Sequence, residues 1–84
     1  MWQIQFARSD DLLIIARLSS DAIDGVEKYF NEVTKTFDNL HSSVFCTSAI
    51  YTVQQHNPVE ENVTINYHID SEDKIIRITS VDIN

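Results

Sequence analysis

Apolar and polar positions along the chain fall into several distinct patterns. Trp2, Ile4 and Phe6 alternate with Gln3, Gln5 and Ala7, the period of two expected of a strand with one buried face. Ser9-Asp10-Asp11 interrupts that alternation, and Leu12-Leu13-Ile14-Ile15 follows as an apolar block. An unbroken block has no period. Residues 12–18 therefore fit a helix capped by Ser9, with Asp10 and Asp11 in its positive first turn, or a second strand entered through a turn. Ile23, Val26, Phe30, Val33, Phe37 and Leu40 recur at steps of three and four. That stripe predicts one long amphipathic helix at about 21–40. Ser20 is the expected N-cap, with Asp21 and Asp24 in the first turn. Gly25 costs about 1 kcal/mol relative to Ala inside a helix, and close packing against a strand would account for it. Asn39 and Ser42-Ser43 end the helix.

The second half has the period of strands. Val44 to Val53 is rich in β-branched and aromatic residues and predicts a strand. Gln54 to Asn62 contains His56-Asn57-Pro58 and Glu60-Glu61 and predicts a loop. Val63, Ile65, Tyr67 and Ile69 alternate with polar residues, and Ile75 to Ile83 completes a hairpin across Asp70-Ser71-Glu72-Asp73-Lys74. That turn lacks Gly, which favours a four- or five-residue loop around a type I turn. In the last strand the alternation slips: Ile76 and Ile78 point one way, and Ile75, Val81 and Ile83 the other. Either both faces are covered, or a bulge shifts the register. The elements add up to a single α+β domain over residues 1–84. It has an N-terminal strand, an ambiguous segment at 12–18, one long helix and a three-stranded antiparallel meander.

Composition fits this picture. With 84 residues, 43% hydrophobic and 23% charged, the chain has the balance of a globular domain with one modest core. No apolar run approaches membrane-spanning length, and Met1 to Arg8 lacks the basic start and apolar block of a signal peptide. Cys46 is the single cysteine, which excludes an internal disulfide and fits a reducing compartment. A cytoplasmic location is expected. Asn62-Val63-Thr64 matches a glycosylation acceptor, but without secretion the match carries no meaning.

Charge narrows the function classes. Six basic residues face thirteen acidic ones, for a net charge of -7. Arg8, Arg17, Lys28, Lys35, Lys74 and Arg77 are spread along the chain, so no basic cluster is available to hold a phosphate backbone, and direct nucleic-acid binding is disfavoured. A basic protein partner is favoured. Paired acids recur at Asp10-Asp11, Glu60-Glu61 and Glu72-Asp73, and the contacts expected to meet it are Glu60 and Glu61 in the loop and Asp70, Glu72 and Asp73 in the hairpin turn.

Little in the chain points to catalysis. One Gly excludes the usual phosphate-cradling loops. His41, His56 and His68 fall on a helix end, a loop and a strand, without metal-ligand spacing, and are expected to be surface histidines. Cys46 is expected to be a small core residue of its strand, unless a histidine lies beside it in space. Ser42 and Ser43 beside His41 lack a third member. No catalytic set, metal site or cofactor is expected, and an enzymatic role is disfavoured.

The order of elements resembles the RelE/ParE toxin family. Trp2-Gln3-Ile4-Gln5-Phe6-Ala7-Arg8-Ser9 looks like that family's first strand running into its helical pair. Tyr67-His68-Ile69-Asp70-Ser71-Glu72-Asp73-Lys74-Ile75-Ile76-Arg77-Ile78-Thr79-Ser80-Val81 looks like its final hairpin. The resemblance implies Tyr67, His68 and Arg77 as site candidates. It departs at the end of the last strand, where Val81-Asp82-Ile83-Asn84 brings no basic residue, and ribonuclease chemistry needs positive groups for phosphate. Two functions are therefore expected as alternatives: an acidic inhibitor, immunity or antitoxin-like binding protein, or a RelE/ParE-like toxin without ribonuclease chemistry. A homodimer through sheet edges, or through a second apolar face of residues 75–83, is compatible with both.

Overall fold

The structure, a computed structural model, describes residues 2–38, 46–56 and 60–84. The elements run β1 (Gln3–Phe6), α1 (Ser9–Ala16), α2 (Ser20–Asp38), β2 (Cys46–Gln55), β3 (Glu61–Asp70) and β4 (Ile75–Ile83). They form one four-stranded sheet in the order β1-β4-β3-β2. β2, β3 and β4 are antiparallel neighbours, and β1 pairs with β4 in parallel. The expected α+β architecture and meander are present. The N-terminal strand extends the meander to a mixed sheet. Leu40 and Asn39 at the expected helix end, His41, Ser42-Ser43, Val44, Phe45 and Asn57-Pro58 lie outside the described residues.

Residues 9–16 resolve to a helix. Arg8 is its extended N-cap, with no side-chain cap bond, and Ser9 is the first helical residue. What fixes this helix is Asp11. Its side chain is fully buried and accepts from Arg8 Nε and Nη2, both at 2.9 Å. That pair raises the Arg8 guanidinium pKa, through the hydrogen bond first and the charge of Asp11 second. The apolar block meanwhile leaves Leu12 and Leu13 exposed, and only Ile14 and Ile15 pack against the core.

The cap of α2 lies one residue before the expected Ser20. Ser19 Oγ accepts from the Ala22 N–H at 3.2 Å, and the Ser19 N–H donates to Gln55 Oε1 at 2.9 Å. The α2 stripe buries Ala22, Val26 and Phe30, flanked by Ile23, Tyr29, Val33 and Phe37. It packs on one face of the sheet, against Val63, Ile65, Tyr67 and Ile69 of β3 and Ile76, Ile78 and Val81 of β4.

The slipped alternation of β4 is a bulge. Asn66 pairs with Ser80 and Tyr67 with Ile78, so Thr79 has no opposite number. Its Oγ1 donates to the Asn66 carbonyl at 3.0 Å. One extra residue returns Val81 to the face of Ile76 and Ile78, so these three residues serve one core.

Candidate functional site

Among the described residues, helices cover one face of the sheet and leave the other bare. On the bare face, Thr64, Asn66, His68 and Asp70 of β3 stand beside Thr52, Ile50, Ser48 and Cys46 of β2. On their other side are Asp82, Ser80, Arg77 and Ile75 of β4. At the turn end this face forms a shallow concavity of about 410 Å³, lined by Ser48, His68, Asp70, Asp73, Ile75, Arg77 and Thr79.

His68 is one of the residues lining that concavity. Its Nε2 lies 3.2 Å from Cys46 Sγ and its Nδ1 lies 3.2 Å from Ser48 Oγ. When Nδ1 carries the hydrogen and donates to Ser48, Nε2 is free to take the thiol proton, the base-and-orienter arrangement that supports attack by sulfur on an electrophile. Arg77, the cross-strand neighbour of His68, supplies the positive charge of the concavity, and its Nη2 donates to Gln5 Oε1 at 3.2 Å. Against the expectation of a core position, Cys46 is exposed, on the face that none of the described helices covers. Ser48, which no sequence signal singles out, joins it through the β2–β3 register. Among the described residues, no group of three or more His, Cys, Asp or Glu side chains is arranged to hold a metal ion.

The five acids form two groups. Asp70 Oδ1 accepts the backbone N–H groups of Glu72 at 3.0 Å and Asp73 at 3.1 Å. Asp70 thus builds the turn, while Glu72 and Asp73 project from it into solvent. The turn closes on Lys74 in the left-handed region, with φ 56°, and Lys74 Nζ lies 3.5 Å from Asp38 Oδ1. Trp2 Nε1 donates to the same oxygen at 2.9 Å. The Trp2 bond first, and then Lys74, holds the Asp38 carboxyl below its usual range. Glu60 and Glu61 sit at the opposite end of β3. Glu60 Oε1 lies 3.6 Å from His56 Nδ1, and Glu61 Oε2 accepts from Gln55 Nε2 at 2.7 Å. A ten-residue strand separates the two groups by roughly 30 Å.

The three toxin candidates are divided between faces. Tyr67 is buried under α2, with its hydroxyl hydrogen-bonded to that of Tyr29 and its ring edge-on to Phe30. Burial pushes the Tyr67 phenol pKa up, and the bond to Tyr29 adds to the shift. His68 and Arg77 stand side by side on the bare face. Neighbours in sequence on one strand point to opposite faces, so Tyr67 and His68 do not reach one ligand from the same side.

No family model, curated protein or solved structure matches this chain.

Proposed function

We propose that this is a non-enzymatic binding protein of the inhibitor, immunity or antitoxin kind, which occludes a basic protein partner. The observation that carries this reading is the β3–β4 turn. Asp70 locks its backbone, and the Trp2–Asp38–Lys74 contacts tie it to the end of α2. Glu72 and Asp73 are therefore displayed from an ordered support. Ordering before contact lowers the entropy cost of binding. Among the described residues the ion pairs are Arg8–Asp11, Lys74–Asp38 and His56–Glu60, so none of the described cations neutralises Glu72 or Asp73. The bare sheet face beside the turn supplies the rest of the contact.

The test uses Glu72→Gln/Asp73→Asn, which leaves the Asp70 turn bonds untouched. The protein immobilised on resin captures its partner from lysate of its own source. Binding of that partner weakens as salt rises, and the double variant slows association by about three- to tenfold, because charge complementarity acts mainly on the encounter rate. A double variant that associates like the wild type removes the proposed surface.

The toxin reading draws on one observation, the adjacency of His68 and Arg77 across β3 and β4. Expression in a bacterial host separates the two: arrested growth that is lost in Arg77→Ala supports a toxin, and unimpaired growth rejects it.

A further inference from the structure

Among the described residues, β2 is the outer strand of the sheet over all ten of its residues. Monomeric proteins blunt such edges with short length, charge, proline or a bulge. The other outer strand, β1, is short at four residues. β2 has none of these devices. Cys46-Thr47-Ser48-Ala49-Ile50-Tyr51-Thr52-Val53-Gln54-Gln55 contains no charge and no proline, and its pairing with β3 runs without a register shift. Ile50 at its middle is 64% exposed, the most exposed large apolar side chain among the described residues. Under the helix side of the same edge runs an apolar groove of about 340 Å³, lined by Tyr29, Val33, Phe37, Thr47, Ala49 and Ile69 among others. Thr47 and Ala49, both small, are the β2 residues that line it.

We infer that β2 pairs antiparallel with β2 of a second copy of this chain, about a two-fold axis at Ile50, to make a continuous eight-stranded sheet. Three features select a second copy as the occupant. A charge-free strand lets two chains of net charge -7 meet without like charges in the seam. The two-fold register sets each Ile50 against its counterpart. On the helix face it sets the second copy's Tyr51, which stacks on Tyr29 of its own copy, opposite Ala49, and its Val53 opposite Thr47, so large residues face small ones across the seam. Finally, the pairing is self-complementary and uses the long edge of both copies, so the assembly closes at two.

The dimer has a consequence for the acids, which rests on the binding reading above. Within one chain the two acidic groups lie at opposite ends of β3. Across the seam, the row Asp70–Cys46 continues into the second copy's Gln54 and Asn62. The second copy's Glu60 and Glu61 then lie at the same end as Asp70, Glu72 and Asp73, about three strand spacings away, roughly 14 Å. The dimer joins into one acidic surface what a single chain holds apart. That separation exceeds the Debye length of about 8 Å at physiological salt, so the repulsion is largely screened there and grows as salt is lowered.

Sedimentation equilibrium of the full chain tests the seam without any partner. At roughly 100 µM, where a micromolar dissociation constant leaves mostly dimer, the mass is twice the 9.7 kDa of one chain. Dissociation rises as salt falls, opposite in sign to the salt dependence of a basic partner. Ile50→Lys, at an exposed site that folding does not need, weakens the dimer on the order of 100-fold, about tenfold for each apolar side chain withdrawn from the seam. Ile50→Glu does the same. Mixing the two variants restores a dimer of one copy of each, because opposite charges then meet at the axis. A monomer in the wild type, a dimer indifferent to Ile50→Lys, or a mixture that stays monomeric overturns the inference. Any of these leaves the acidic turn of a single chain untouched as a binding surface.

Discussion

Val81→Ala measures the bulge at Thr79 directly. In the structure Ile76, Ile78 and Val81 are all buried on the helix face, whereas Ile75 is half-buried on the bare face. Removing two methyl groups from Val81 forfeits about 0.8 kcal/mol for each, and the cavity left behind brings the total to about 2 kcal/mol. Ile75→Ala removes more carbon from a site with no helix over it, and costs less than about 1 kcal/mol. Urea unfolding followed by circular dichroism reads both. With a slope of about 1 kcal/mol per molar urea for a chain of this size, the Val81→Ala midpoint falls by about 2 M and the Ile75→Ala midpoint by less than about 1 M. Deleting Thr79 sharpens the test. With the bulge, Ile78 and Val81 already share a face, and the deletion restores a period of two with Val81 still inward, so the fold survives. Without it, the deletion would carry Val81 to the wrong face and unfold the chain. Equal midpoint shifts for Val81→Ala and Ile75→Ala, or loss of the fold on deleting Thr79, would refute the one-core account of β4.

Three further outcomes follow from single sites. A Cβ on Gly25 would lie 3.7 Å from both Tyr51 Oη and Val53 Cγ2, ordinary contact distances, so Gly25→Ala raises stability by about 0.5–1 kcal/mol; Tyr51 Oη donates to the Gly25 carbonyl at 3.4 Å, and a lower unfolding midpoint would show that this bond needs the bare backbone. Because the Tyr67 phenol pKa is raised in the folded protein, a tyrosine in the unfolded chain ionises first, near pH 10; stability is intact below that pH and falls as pH rises above it. Tyr67→Phe removes this alkaline loss, and an unchanged high-pH unfolding curve would contradict the burial of that hydroxyl. Cys46 is exposed beside His68, so the native protein is labelled to completion by a maleimide without denaturant, and His68→Ala slows the labelling; a thiol that reacts only after unfolding would contradict its placement.

Much of this fold is legible in the sequence where one pattern dominates. The stripe from Ile23 to Phe37 and the alternation from Val63 to Ile69 each admit one period, and both elements are present. Residues 12–15 are apolar on every side, so their helix had to be decided by something outside the block. Arg8 and Asp11 supply it, through a local ion pair that buries the acid while two leucines remain exposed. The slip in β4 was visible, but its cause was not, because a bulge and a doubly covered strand leave the same trace in a sequence. The site was less legible. Cys46 and His68 are 22 residues apart, and their contact depends on the β2–β3 register. The acids Glu60, Glu61, Asp70, Glu72 and Asp73 are visible as pairs, yet their separation along one strand appears only when β3 is laid out.

The central claim is that an ordered acidic turn recruits a basic protein. Its most direct test is the association rate of the captured partner, measured by stopped flow against ionic strength for the wild type and for Glu72→Gln/Asp73→Asn. The account predicts a wild-type rate that falls steeply with salt, and a slower rate with a flatter salt dependence in the double variant. Identical rates and identical salt slopes for the two proteins would contradict it.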